Sequence, residues 1–129
     1  MADRFFLAPP ILLAMAASAQ GGDSGDALAG KAYFSQTCMQ CHAADPGEGG
    51  GEIGPTLFGL IGRKAGTQPG FDYSAALAAS NIVWSAQTLE RWIADPNALV
   101  PGNKMIVQLA SDPADRAAII EYLVAGSTL

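Results

Sequence analysis

Both cysteines and the only histidine of this 129-residue chain fall within five consecutive positions, Cys38-Met39-Gln40-Cys41-His42. No other feature limits so sharply what the chain can fold into. A C-x-x-C-H run has the spacing for covalent haem attachment. Its two thiols reach the two vinyl groups of one haem and form thioethers. The adjoining neutral imidazole is then held under the iron, where it is a good axial ligand. The competing readings are weaker. A structural zinc site needs four ligands, and with two cysteines and one histidine the fourth would be a carboxylate with no spacing signature. A thioredoxin-like site needs a βαβ context, and no segment here alternates like a strand.

The first nineteen residues read as a leader. Met1-Ala2-Asp3-Arg4 precedes an apolar run, Phe5 to Ala17, and Ala17-Ser18-Ala19 is a small-residue cleavage pattern before Gln20. This is the layout of a secretory signal peptide. A membrane-spanning helix wants roughly twenty apolar residues, and Pro9-Pro10 interrupts this shorter run. The expected organisation is a cleaved signal at 1–19, a flexible lead-in at 20–25 and one domain at 26–129, exported to the periplasm and not integral to the membrane after cleavage. The formal charge is −5. Cleavage removes Asp3 and Arg4, one acid and one base, and leaves it unchanged. An acidic chain argues against nucleic acid and anionic membrane surfaces as main partners. The remaining ~110 residues make a domain whose core alone gives marginal stability, so a buried haem would be a large part of the interior.

Local signals predict an all-α architecture of four to five helices with long loops. Asp23 or Ser24 caps a first helix through Ala27–Phe34, with Leu28, Ala32 and the Tyr33-Phe34 pair at helical spacing. A short helix covers Ser74–Ala79, with Asn81 in a C-terminal position. Ser85 caps a helix over Ala86–Ala94 that Pro96 stops. Asp112-Pro113 opens a last helix that ends at Gly126, with Ala117, Ile120, Tyr122, Leu123 and Val124 on its apolar side. The stretch from Asp45 to Glu52 is a glycine-rich loop by composition. It lacks the Gly-Lys-Ser/Thr ending of a phosphate-binding loop and carries acids. Loops this long need something to pack on, and a haem provides it.

The second axial ligand follows from counting. His42 is the only histidine, which excludes bis-histidine ligation within one chain. Of four methionines, Met1 and Met15 lie in the leader and Met39 inside the attachment loop. Met105 remains, in the turn Pro101-Gly102-Asn103-Lys104-Met105. Core packing is the commoner role of a methionine, and here elimination outweighs it. A thioether ligand favours Fe(II) and raises the reduction potential.

From about Gly25 to Leu123 the sequence resembles a class I cytochrome c of the mitochondrial and bacterial soluble type. Gly30-Lys31-Ala32-Tyr33-Phe34 is similar to that family's first-helix pattern, and Tyr122 matches the aromatic of its last helix. Gly54-Pro55-Thr56-Leu57 resembles the segment whose proline carbonyl accepts the ring N–H of the haem histidine. Gly59–Lys64 and Gly70–Tyr73 match the propionate side. The resemblance implies the cytochrome c fold around one haem c, bound covalently through Cys38 and Cys41. It makes Arg63, Tyr73 and Trp84 propionate partners. It also marks departures. Trp92 stands where many members have a tyrosine beside the methionine sulfur, Asn103 replaces a threonine near a propionate, and Leu77 replaces an asparagine near an internal water. Most lysines that ring the haem edge in the mitochondrial form are missing, while Lys31 and Lys104 remain.

The function implied is a monomeric one-electron carrier, not an enzyme, that docks transiently with redox protein partners at an exposed haem edge. Two other classes stay open at this level. One is a haem enzyme or gas sensor with a labile sixth ligand. The other is a permanent subunit of a larger redox complex.

Overall fold

In a computed structural model of the chain, residues 23–47 and 53–128 are described. The leader and the acidic glycine run of the 45–52 loop lie outside those residues. The elements in order are α1 (Asp23–Thr37), α2 (Ala75–Ala78), α3 (Ala86–Ala94), α4 (Pro96–Leu99) and α5 (Pro113–Gly126). α1 thus begins at Asp23, inside the stretch assigned to the lead-in.

The frame is a crossing of the two terminal helices. α1 packs on α5, α5 packs on α3, and α4 follows α3 directly. An isolated helix of about fifteen residues is marginal in water, so α1 depends on this docking. The close approach is made at Gly30. A Cβ there would lie 1.8 Å from the carbonyl oxygen of Ala118, a distance no side chain tolerates. Phe34 and Tyr122 then meet beside the glycine, ring centroids 5.3 Å apart.

Two side-chain expectations need correction here. Leu28 is 69% exposed and Ala32 is exposed, because the crossing puts the Gly30–Phe34 stripe inward. On α5, Ile119 is 2% exposed and buried together with Ile120 and Leu123, whereas Ala117 faces out.

Capping follows the local sequence. The Ser74 side chain accepts from the N–H of Leu77. Ser85 and Thr88 form a reciprocal capping box on α3. The Asp112 side chain accepts from Ala114, with Pro113 in the first turn of α5. Asn81 is left-handed, φ 58°, as its place after α2 suggests. Pro96 does more than stop α3. It opens α4, with the Asp95 side chain accepting from the N–H of Ala98 at 3.0 Å.

The α1–α2 and α2–α3 connections meet in an isolated antiparallel bridge, Lys64 to Val83. The N–H of Gly62 donates to Trp84 at 2.8 Å and the N–H of Trp84 to Arg63 at 3.0 Å. This clasp sets Arg63 and Trp84 side by side. Gly66 lets it close against α2: its φ is +75°, and a Cβ would stand 2.7 Å from the Cα of Ala78. Among the described residues no helix is long and apolar enough to cross a membrane.

Candidate haem site

The last turn of α1 runs straight into the attachment motif. The Cys38 N–H donates to Phe34 at 2.8 Å, and the N–H groups of Cys41 and His42 both donate to the Cys38 carbonyl, at 3.1 and 2.9 Å. That turn brings both thiols and the imidazole to one wall of a cavity of about 250 Å³. Leu60, Leu77, Leu89 and Leu123 are among the apolar side chains that close the cavity, and Met105 lines it too. An enclosed, mostly apolar space with few convergent polar groups suits a flat hydrophobic cofactor.

His42 is fixed by its surroundings. Its Nδ1 lies 2.8 Å from the carbonyl oxygen of Pro55. A carbonyl can only accept, so Nδ1 carries the proton and Nε2 keeps the lone pair that a metal needs. Burial holds the imidazole below its ordinary pKa, and the Pro55 bond offsets part of this. A neutral ring is the ligating form. Gly54 leaves room for that ring: a Cβ there would come within 2.6 Å of His42 Cε1 and 2.8 Å of Nδ1. Burial pushes the Cys38 thiol up, with the Thr37 hydroxyl working the other way. The thiols are not paired with each other.

The opposite chemistry gathers around Arg63. Its guanidinium donates to Gln68 Oε1 at 2.7 Å, to the Thr56 carbonyl at 2.8 Å and to the Phe58 carbonyl at 3.3 Å. These use three of its five N–H donors. Burial lowers its pKa, with Tyr73 opposing, and an anion at the remaining donors would offset the cost of that burial. Tyr73 is raised by burial against the pull of a backbone bond to Gln68 and of Arg63. Trp84 packs edge-to-face on Trp92, centroids 5.4 Å apart. An arginine, a phenol and an indole N–H on one cavity are donors that fit carboxylates, so the residues present fit a haem with its propionates.

Nine of the ten residues singled out from sequence, Cys38, Cys41, His42, Pro55, Arg63, Tyr73, Trp84, Trp92 and Met105, line this one cavity. Asn103 does not. It is 6% exposed, its Nδ2 donates to the Val100 carbonyl at 2.8 Å, and its Oδ1 meets no partner among the described residues. Facing a carboxylate, it could use only the second N–H of Nδ2. Leu77 lines the cavity as an apolar residue. Sequence reasoning passed over the side-chain role of Tyr33, whose hydroxyl donates to the Leu109 carbonyl at 2.5 Å. The two are 76 residues apart, and no local signal joins them. Among the described residues no group of three or more His, Cys, Asp or Glu is arranged to hold a metal ion.

A turn that presents both thiols, a tautomer-fixed histidine and an apolar slot with a cationic end are what a covalently tethered haem requires. The family model described as Cytochrome c matches residues 27–127, and the chain belongs to the cytochrome c family. It is 41% identical over 99 residues to cytochrome c type-1 of Ascaris suum, covering 77% of this chain and 87% of that one. It is 45% identical over 86 residues to cytochrome c2 iso-2 of Magnetospirillum fulvum, covering 67% and 88%. The solved cytochrome cH from Methylobacterium extorquens superposes with a TM-score of 0.71 at 42% identity, over 78% of this chain and 99% of that one. The all-α cytochrome c fold and the covalent haem c at Cys38 and Cys41 both follow from this membership.

Proposed function

We propose that the protein is a soluble, monomeric periplasmic carrier of single electrons whose haem iron is held by His42 and Met105. The carrying observation is that one cavity gathers Cys38, Cys41, His42 and Met105 from two distant parts of the chain. When bound, the haem supplies an Fe(III)/Fe(II) couple. Everything else is done by the chain. Cys38 and Cys41 tether the group, and Pro55 orients His42 and raises its basicity. Met105 supplies a soft donor that favours Fe(II). Leu60, Leu77, Leu89 and Leu123 exclude water. Arg63, Tyr73 and Trp84 hold the propionates. Two fixed ligands leave little to rearrange between oxidation states.

Exposed Ile53 and Ile106 stand on the rim of the cavity, and Met39 of the attachment loop is exposed as well. This is the face on which a redox protein would dock weakly and leave. The leader supports the periplasmic assignment.

The test is visible spectroscopy with a redox titration of the purified holoprotein. Ferric protein should show the weak far-red charge-transfer band of a thioether–Fe(III) bond. Met105→Ala should abolish that band, open the sixth position and lower the potential. An unchanged spectrum and potential in Met105→Ala would remove Met105 from the iron. A high-spin wild-type spectrum at neutral pH would instead favour an enzyme or sensor.

A further inference from the structure

The segment that carries Met105 is held almost entirely by side chains. No backbone–backbone hydrogen bond among the described residues outside the helices involves residues 104–111. At its start, Lys104 Nζ donates to the Asp72 carbonyl at 2.6 Å and to Asp72 Oδ2 at 2.9 Å. At its end, Arg116 of α5 donates to the carbonyls of Ala110 and Ser111 at 3.0 and 2.7 Å. Between these lies the Tyr33 hydroxyl on the Leu109 carbonyl. Ile106, Val107 and Leu109 are exposed, so apolar burial does little to fasten the strap between its pins.

We infer that Tyr33 is a positioning residue for Met105: by pinning Leu109 to α1 it sets how often the strap lifts and the thioether leaves the iron. This rests on the reading of Met105 as the axial ligand. The ion pair of the Asp72–Lys104 pin, with side chains 97% and 54% exposed, is solvated and screened by salt. Arg116 acts beyond Leu109, next to α5. Tyr33 is the pin nearest Met105 on the exit side, and it stands on rigid ground. It neighbours Phe34, 1% exposed in the core, and α1 is locked to α5 at Gly30. Burial raises the phenol's pKa, with Asp115 and Asp112 acting in the same direction, so the hydroxyl keeps its proton as a donor at neutral pH.

The experiment is the rate at which imidazole binds the ferric holoprotein, since an added ligand enters only when the thioether leaves. Tyr33→Phe deletes the hydroxyl and keeps the ring. Losing one neutral hydrogen bond that exists only in the closed strap should speed imidazole binding about 2- to 10-fold. The far-red band should also disappear at lower denaturant than the far-UV circular dichroism. Asp72→Asn should change the rate less than about twofold, and salt should erase the difference. An imidazole rate equal to wild type, even with lowered global stability, would show a merely structural tyrosine and overturn the proposal alone. A wild-type ferric spectrum without the thioether band would overturn the Met105 reading and this proposal with it.

Discussion

Gly54→Ala places a methyl group where the His42 ring already is. The added carbon would sit 2.6 Å from Cε1, 2.8 Å from Nδ1 and 2.8 Å from the Cys41 carbonyl oxygen. Carbon atoms rest at about 3.5–4.0 Å, so the overlap is about 1 Å. None of the three atoms yields cheaply. The Cys41 oxygen is backbone in the attachment turn, and the His42 N–H is bound to Cys38 at 2.9 Å. The relief available is a shift of residues 54–55, which carries the Pro55 carbonyl away from Nδ1. Overpacking of this kind costs about 1–3 kcal/mol, and the lost hydrogen bond adds about 1 kcal/mol. The substitution should therefore destabilise the holoprotein by about 2–4 kcal/mol. It should also move the potential. Without its acceptor, the imidazole is a poorer donor to Fe(III). If about 0.5–1 kcal/mol of that bond distinguishes the oxidation states, the potential rises by about 20–40 mV. Guanidinium unfolding followed by circular dichroism gives the first quantity and potentiometry the second. A variant with wild-type stability and potential would refute the claim that Gly54 is required by the ring. A fall in potential would refute the direction assigned to the Pro55 bond.

Gly30→Ala should cost about 1–2 kcal/mol net in guanidinium unfolding, because overpacking near the top of the usual range of about 1–3 kcal/mol, from a methyl that drives the backbone of α5 away from α1, outweighs a helix-propensity gain of about 1 kcal/mol. Gly126→Ala, with nothing within 4 Å, should stay within about 1 kcal/mol of wild type; equal effects at both glycines would rule out the crossing as the cause. Tyr73 is held above its ordinary value by burial, so its ionisation is harder in the fold than in the unfolded chain. Its contribution is whole below about pH 10 and is lost as pH climbs through the raised value. Tyr73→Phe should flatten that part of a melting-temperature profile, and an identical alkaline slope in both proteins would refute the assignment.

The legible parts of the fold were those written locally. Ser85, Asp112 with Pro113, and Asn81 announce helix ends because capping involves neighbours only a few residues apart. The helix faces were harder. Leu28 and Ala32 have helical spacing but point outward, and Ile119 rather than Ala117 is inside. The inward stripe is chosen by where Gly30 admits the Ala118 carbonyl, which is a property of two helices together. Pro96 reads as a stop from α3, yet Asp95-Pro96 carries the same cap-and-proline signal as Asp112-Pro113 and opens α4. The site was legible to the extent that it is chemistry by type: a C-x-x-C-H run, one histidine, one available methionine. Asn103 was singled out by resemblance; it is not among the residues that line the cavity, and its Nδ2 donates to the Val100 carbonyl.

Taken alone, the sequence determined the cofactor and its tethers, since the spacing of two thiols and an imidazole is covalent and local. It also narrowed the second ligand to Met105 by scarcity of alternatives. Only the tertiary structure decided which nitrogen of His42 is free, because that depends on a carbonyl thirteen residues away. It alone set Arg63 beside Trp84 and Met105 on the same cavity as the two cysteines, and it alone revealed the Tyr33 hydroxyl on the Leu109 carbonyl. Contacts between residues distant in sequence carry no local pattern, so they are read only from the folded chain.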